Sequence, residues 1–319
     1  MDFKTLGMVG GVLAVLATAT TIGQFLKRQP DAGLNPAVVE TFNARIRAWW
    51  LMCTVLAAAF LLGPASHVAT VIIFGLISFW ALREFITLTP TRLGDHRTLF
   101  WVFFLFTPLQ YVLVGLNKYG LYSILIPVYA FLFIPARVAL SGDYKRFLER
   151  TAKIQAGLMI CVYCLSHAPA LLSLEIKYGY KDNALLLFFF VLVVQLNDVL
   201  QYAIGRRLGR RVIAPAISPN KTWEGFVGGA ASATLLGTSL WWATPFKPWE
   251  AACMSLVISI MGFAGGMTMS AIKRDRGVKD YGTLVVGHGG VLDRIDSICF
   301  AAPVFFHLTR YYFTDAVLP

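Results

Sequence analysis

Residues 270–296 read SAIKRDRGVKDYGTLVVGHGGVLDRID and stand between two apolar runs, near 250–269 and 297–313. This one connection holds Lys273, Arg274, Arg276, Lys279 and Arg294 beside Asp275, Asp280, Asp293 and Asp296, with His288-Gly289-Gly290 in the middle. The flanking runs have the length of membrane-spanning helices, so the stretch sits at a membrane boundary. So many charges are kept there only where they face water, one another or a charged ligand. Lysines, arginines and aspartates around a Gly-Gly turn suit a polyphosphate carried with its divalent cation.

Working outward, apolar residues make up 57% of the chain and charged ones only 14%, against about 25% charged in an ordinary soluble domain. Ten apolar runs are visible, near 5–26, 48–65, 67–86, 99–116, 121–136, 155–173, 183–204, 225–244, 250–269 and 297–313. The expected fold is therefore an all-α polytopic membrane protein of about ten transmembrane helices. The fifth run is short, and either tilts across the bilayer or dips in and returns. Every polar stretch is short, no soluble domain is seen, and no repeat stands out. The organisation reads as N-terminal transmembrane helices over 1–150, then a C-terminal transmembrane catalytic region over 151–319 with polar loops at 195–224 and 270–296.

Charge placement sets the expected orientation. Of the 28 Lys and Arg residues, 22 fall in alternate connections. They group around 27–47, 83–97, 137–153, 206–221 and 273–294, and cytoplasmic loops are the ones enriched in such residues. The other side keeps Lys4, Lys118, Lys177, Lys181, Lys247 and Arg310. Both termini are then expected away from the cytoplasm. The first run is read as a retained span, being too long for a cleaved signal and lacking a basic leader beyond Lys4. The net charge of +11 follows from this topology, with attraction to anionic headgroups as an extra. Nucleic acid is not an expected partner, because the aromatic residues sit in apolar runs and not among the basic ones. Cys53, Cys161, Cys164, Cys253 and Cys299 all fall within expected spans, so packing is favoured over disulfide, metal or redox chemistry.

A second polar cluster precedes the first. Gln195, Asn197, Asp198 and Gln201 lie near the end of an apolar helix, with Asn197 and Gln201 on one face and Asp198 beside it. An acid there is costly unless paired or bound to a cation. The arginines at 206, 207, 210 and 211 read as membrane anchoring. The segment Ser218-Pro219-Asn220-Lys221-Thr222-Trp223-Glu224 is different, because a lysine just before a helix N-terminus makes an anion site.

These residues together resemble a known family. Ser270-x-x-Lys273-Arg274, Lys279-Asp280-x-Gly282 and His288-Gly289-Gly290-x-x-Asp293-Arg294-x-Asp296 are similar to the signature of phosphatidate cytidylyltransferases, and Ser218 to Gly225 resembles their second landmark. The resemblance covers roughly residues 195–300; Arg83-Glu84 at a helix end is a weak further parallel. It implies an enzyme of the cell (inner) membrane, active on the cytoplasmic side, that joins CTP and phosphatidate into CDP-diacylglycerol and pyrophosphate with a divalent cation, usually magnesium. The chemistry of the residues agrees, since joining two anions through an α-phosphorus rests on positioning and charge neutralisation.

On that reading Asp293 is the first expected metal ligand, with Asp280 and Asp198 as further candidates. Asp296 shares a face with Asp293, and Asn197 is a supporting oxygen donor beside Asp198. Lys221, Lys273, Arg274, Lys279 and Arg294 would hold the triphosphate, and Ser218, Thr222 and Ser270 would contact substrate. Gly289 and Gly290 allow close backbone approach to phosphate. His288 would donate to phosphate or shuttle a proton. A homodimer is compatible with this reading.

The chain departs from the family pattern at three places. Gly265-Gly266-Met267-Thr268-Met269-Ser270 stands where G-D-x-x-x-S is usual, Asp198-Val199-Leu200-Gln201-Tyr202 where D-S-G-A-Y is usual, and Val285-Val286 where an apolar-Pro pair is usual. The first loses a carboxylate of the expected metal centre. These departures mark a divergent branch and keep two alternatives open: nucleotidyl transfer to another phospho-lipid, and a non-catalytic membrane paralogue serving as lipid transporter or scaffold.

Overall fold

Long apolar runs without a polar face can satisfy their backbone in a bilayer only as helices, and helices are what they form. The computed structural model describes residues 66–89, 91–282 and 289–315, with scattered positions between 7 and 25 and at 50. The runs expected near 5–26 and 48–65 thus lie almost wholly outside the described residues. The other eight each fall on a helix. They are α1 (Ser66–Leu88), α2 (Leu93–Gly115), α3 (Tyr119–Ala139), α4 (Phe147–Ser173) and α5 (Asn183–Leu208), then α6 (Trp223–Ser239), α7 (Pro248–Asp275) and α8 (Leu292–Phe313). Six of the described helices, α1 to α5 and α7, are long and apolar enough to cross a membrane. The chain is an all-α, polytopic integral membrane protein.

The fifth run is a continuous helix of 21 residues, with a π-helical stretch at Leu125–Ala130, and does not turn back. Matching π-helical stretches occur at Val102–Phe106 and Met159–Cys164. Side chains take up carbonyls there: Thr107 Oγ1 donates to Val102 O at 2.8 Å and Ser78 Oγ donates to Cys161 O at 2.6 Å. The outer surface carries exposed Ile72, Leu76, Phe104 and Leu235, as a lipid-facing surface should. Inside, Phe189, Phe190, Phe305 and Phe306 are fully buried where α5 meets α8.

Between α5 and α6 the chain forms a short antiparallel hairpin, β1 (Val212–Ala214) with β2 (Ser218–Thr222). Its base is pinned by Glu224, whose Oε2 accepts from the backbone N–H of Arg210 and Arg211 at 3.0 and 3.2 Å. α6 then runs back along α5 in very close contact. A Cβ on Gly225 or Gly229 would lie 2.8 Å and 2.7 Å from backbone atoms of Gln201. Small residues allow this approach in membrane helix pairs.

The basic connections gather at one end of the bundle. Arg92 Nε bonds Asp143 Oδ2 at 2.5 Å, and this guanidinium holds the Asp143 carboxyl below the usual range. Arg150 is buried and donates from Nε to both oxygens of Asp95 at 2.9 Å, while its Nη1 reaches the carbonyls of Asp143 and Lys145. Arg274 Nε reaches Ile217 O at 3.1 Å, tying the hairpin to the end of α7. The opposite end is closed by Tyr180 donating to Ala243 O, Asn117 to Ser173 O, and a bridge between Ile176 and Thr314. Tags inserted in 138–153 and in 206–220 are accordingly expected on one side of the membrane, and a tag in 175–182 on the other. Impermeant labelling of intact cells and of opened vesicles checks this, and a 175–182 tag labelled together with the other two would refute the arrangement.

Candidate active site

At the basic end, a cavity of about 410 Å³ lies between α5, β2, α6, α7 and the start of α8. Each wall has a local cause. Beyond Asn183 at its start, α5 carries polar residues only in its second half, and there Gln195, Asp198 and Gln201 face the cavity. β2 delivers Ser218, Asn220 and Lys221. Thr222 then caps α6, its Oγ1 accepting from Gly225 N at 3.1 Å, so the chain turns into the helix directly beside Lys221. α7 contributes Phe263, Gly266 and Ser270, and α8 contributes Asp293, Arg294, Asp296 and Ser297.

The acids fall into two classes. Asp293 is nearly buried and fully engaged: Lys273 Nζ donates to Oδ1 at 2.7 Å, and the N–H groups of Tyr281 and Gly290 donate to Oδ2 at 2.7 and 2.9 Å. It knots the 270–296 connection together. Asp198 and Asp296 differ, since neither has a basic nitrogen within 4.0 Å among the described residues. Asp296 accepts from the N–H of Ser297 at 2.8 Å and otherwise faces the cavity. Two carboxylates without a close ion-pair partner thus share the cavity lining with Lys221 and Arg294.

Lys221 lies over the Phe263 ring, its Nζ 5.2 Å from the centroid. Burial pushes its ammonium below the usual lysine range, against the pull of Asp296 and Asp198. A Cβ on Gly266 would lie 2.7 Å from that Nζ and 3.9 Å from Asp296 Oδ2. The position where the family pattern has an acid is thus bare here, and the lysine tip occupies the space. Ser270 Oγ donates to Gly266 O at 2.6 Å, within its own helix.

Other expected site residues lie elsewhere. Asn197 is fully buried behind the cavity, donating to Ser259 O at 3.1 Å and accepting from Gln201 at 2.9 Å. Its role is to orient Gln201, which does line the cavity. Lys279 and Asp280 are exposed on the loop and are not part of the lining. Arg274 ties backbone carbonyls, and Lys273 is committed to Asp293. Gly289, in the left-handed region at φ 81°, and Gly290 pack around Asp293, Asp280 and Glu84 and not along the cavity wall. His288 lies outside the described residues. Lining residues that the sequence does not single out include Phe226, Phe263 and Ser297, while Gln195 is readable only as part of a polar cluster and Glu84, below the lining, only as a weak family parallel. The apolar ones gave no signal, because an aromatic within a span looks like any other lipid-facing residue.

The metal-binding capacity of the site follows from its donors. Among the described residues, no three or more His, Cys, Asp or Glu side chains converge as an all-protein cage. Magnesium does not need one, since it takes one or two carboxylates and completes its shell with water and substrate phosphate. Asp198 and Asp296 fit that requirement.

The pattern of the cytidylyltransferase family matches residues 43–312, most of the chain. The chain belongs to the cytidylyltransferase family. As a member it is a membrane-embedded nucleotidyltransferase. It is 39% identical over 307 residues to the uncharacterized protein YnbB of Escherichia coli (strain K12), covering 94% of this chain and 96% of that one. It is 34% identical over 158 residues to a phosphatidate cytidylyltransferase of Staphylococcus haemolyticus, and 39% over 148 residues to one of Mycobacterium leprae. Those matches cover 48% and 45% of this chain, and 60% and 46% of the two enzymes. Similarity to full length with one relative and to about half with the others is what a divergent branch of the family shows.

Proposed function

We propose that this cytidylyltransferase joins CTP to phosphatidate, or to a closely related phospho-lipid, releasing pyrophosphate and forming a CDP-lipid at the cytoplasmic face of the membrane. The observation that carries the reading is the cavity at the basic end, where Asp198 and Asp296, with no basic partner within 4.0 Å among the described residues, share the lining with Lys221 and Arg294. Exposed Val199 and Tyr202 belong to the same lining, so one wall offers apolar surface to acyl chains and the other offers charge to phosphates.

In the reaction, an oxygen of the lipid phosphate attacks the α-phosphorus of CTP, a new P–O bond forms, and the bond to the β-phosphate breaks with pyrophosphate as leaving group. The attacking phosphate is already ionised, so no side chain has to act as nucleophile. Lys221, held at the mouth of α6, and Arg294, on the first turn of α8, are placed to bind the triphosphate oxygens and take up the leaving charge. The N-terminus of α6 adds a favourable field for an anion. Asp198 and Asp296 would hold the divalent cation, which when bound screens the charge of the two reacting phosphates. Ser218 and Asn220 supply neutral hydrogen-bonding groups beside Lys221.

Incubating purified protein with labelled CTP and magnesium, with phosphatidate in one arm and other phospho-lipids in separate arms, tests the reading. Label is expected in the lipid phase in the phosphatidate arm, with release of pyrophosphate. Label only with another acceptor would move the substrate, and none in any arm with folded protein would overturn the proposal. One substitution follows from the geometry. Gly266→Ala places a methyl against the Lys221 ammonium, whose flexible tip moves aside, so transfer is expected to fall about tenfold while thermal stability is held. Wild-type kinetics in this variant would remove Lys221 from the phosphate-binding role.

A further inference from the structure

Helix α8 begins at Leu292 with Val291 as its N-cap, a residue with no side-chain acceptor for the first free N–H groups of the helix. The acceptor comes from the other half of the chain. Glu84, in the last turn of α1, is 5% exposed. Its Oε1 accepts from Val291 N at 3.0 Å and its Oε2 from Leu292 N at 2.8 Å. A carboxylate in contact with a helix N-terminus is stabilised by the amides and by the helix dipole, which accounts for its burial with no basic partner among the described residues.

The surrounding residues make room for this contact. A Cβ on Gly282 would lie 2.8 Å from Glu84 Oε1, and one on Gly290 would collide with the same carboxylate. Next to it, Phe85 stacks on Tyr281 with centroids 6.4 Å apart, and Tyr281 Oη donates to Met269 O at 3.0 Å. The two N–H groups that hold Asp293, from Tyr281 and Gly290, therefore belong to the same few residues that Glu84 and Phe85 fix in place. Arg294 and Asp296 follow on the first turn of α8.

We infer that Glu84 is a positioning residue for the reaction: by capping α8 from helix α1 it sets the height and rotation at which Arg294 and Asp296 enter the cavity. It is not part of the cavity lining. The inference rests on the cytidylyl-transfer reading only for its kinetic consequence; the capping itself is measured separately. Glutamine is the informative replacement. It keeps the shape, but one of the two acceptors becomes an N–H donor facing a backbone N–H.

The experiment compares wild type, Glu84→Gln and Gly282→Ala by amide hydrogen exchange on folded, detergent-solubilised protein and by transfer kinetics. In Glu84→Gln the amides of Val291 and Leu292 are expected to exchange at least about tenfold faster, with α5 and α6 unchanged. On the kinetic side, kcat is expected to fall about tenfold or more with little change in KM for CTP. Gly282→Ala displaces the carboxylate without removing it and should repeat the pattern, and it decides the matter where Glu84→Gln does not fold. Unchanged exchange at Val291 and Leu292, or faster exchange spread over the whole bundle, overturns the inference. Faster local exchange with undiminished kcat overturns it too. Local loosening in protein whose wild type transfers no cytidylyl group would leave the cap standing and sink the assigned reaction instead.

Discussion

Asp198→Asn is expected to cut cytidylyl transfer by at least about 100-fold, or to raise the magnesium needed for half-maximal rate, while the protein becomes no less stable. The two halves of that expectation have one cause. Asp198 lines the cavity beside Asp296 with no basic nitrogen within 4.0 Å among the described residues. Two such carboxylates repel each other and pay a desolvation cost that only a bound cation offsets. Replacing one by a neutral amide of the same shape removes the repulsion and the means of holding the cation together. A magnesium titration of CTP-dependent lipid labelling, run beside a thermal melt in metal-free buffer, reads both. Wild-type magnesium dependence in this variant would leave Asp198 without a role in the chemistry.

Asp293→Asn is expected to abolish activity by another route, and the melt separates them. Asp293 has three donors on its two oxygens, one of them the Lys273 ammonium. An amide in its place turns one acceptor into a donor and leaves the nearly buried Lys273 without its counter-charge. Breaking such a pair costs about 3 kcal/mol, so the melting midpoint should fall by several degrees together with the activity. Asp275→Asn serves as the control, because Asp275 is exposed and, among the described residues, pairs only with neighbouring Arg276; it should lie within about twofold of wild type in both measurements. Loss of activity at Asp293 with an unchanged melt would shift it from knot to metal ligand, as the sequence alone suggests. Equal losses at 275 and 293 would point to general disruption of the connection.

The sequence makes the membrane architecture readable because a spanning helix is a local property, visible as a run of apolar residues between charges. The helix ends are less readable. By hydropathy the sixth run starts near 155, yet α4 begins at Phe147. The extra turns carry Arg150, a charge that hydropathy counts as a boundary and that Asp95 neutralises inside the protein. The site was legible as a set of segments and not as a set of contacts. Asp198 and Asp296 reach one cavity only because α5 and α8 pack together, and nothing in the linear order separates Asp296 from Asp293, three residues away on the same turn. What separates them is that Tyr281 and Gly290 turn their N–H groups toward Asp293. Glu84 is visible in the sequence only as part of a weak Arg-Glu parallel at a helix end, since its partners lie more than two hundred residues on.

Two of the glycine contacts described above, at Gly229 and Gly266, have unequal prospects in the evolution of this branch. On the α5–α6 wall the absent side chain at Gly229 is opposed by backbone, which cannot retreat, so that wall is closed to variation. At Gly266 the opposing atom is the tip of a lysine, which can. New acceptor or nucleotide preferences in descendants of this protein should therefore arise by drift at 266 and its neighbours on α7, with the α5–α6 seam inherited unchanged. A selection for altered acceptor use, started from a library spread over both walls, is expected to return its survivors from α7.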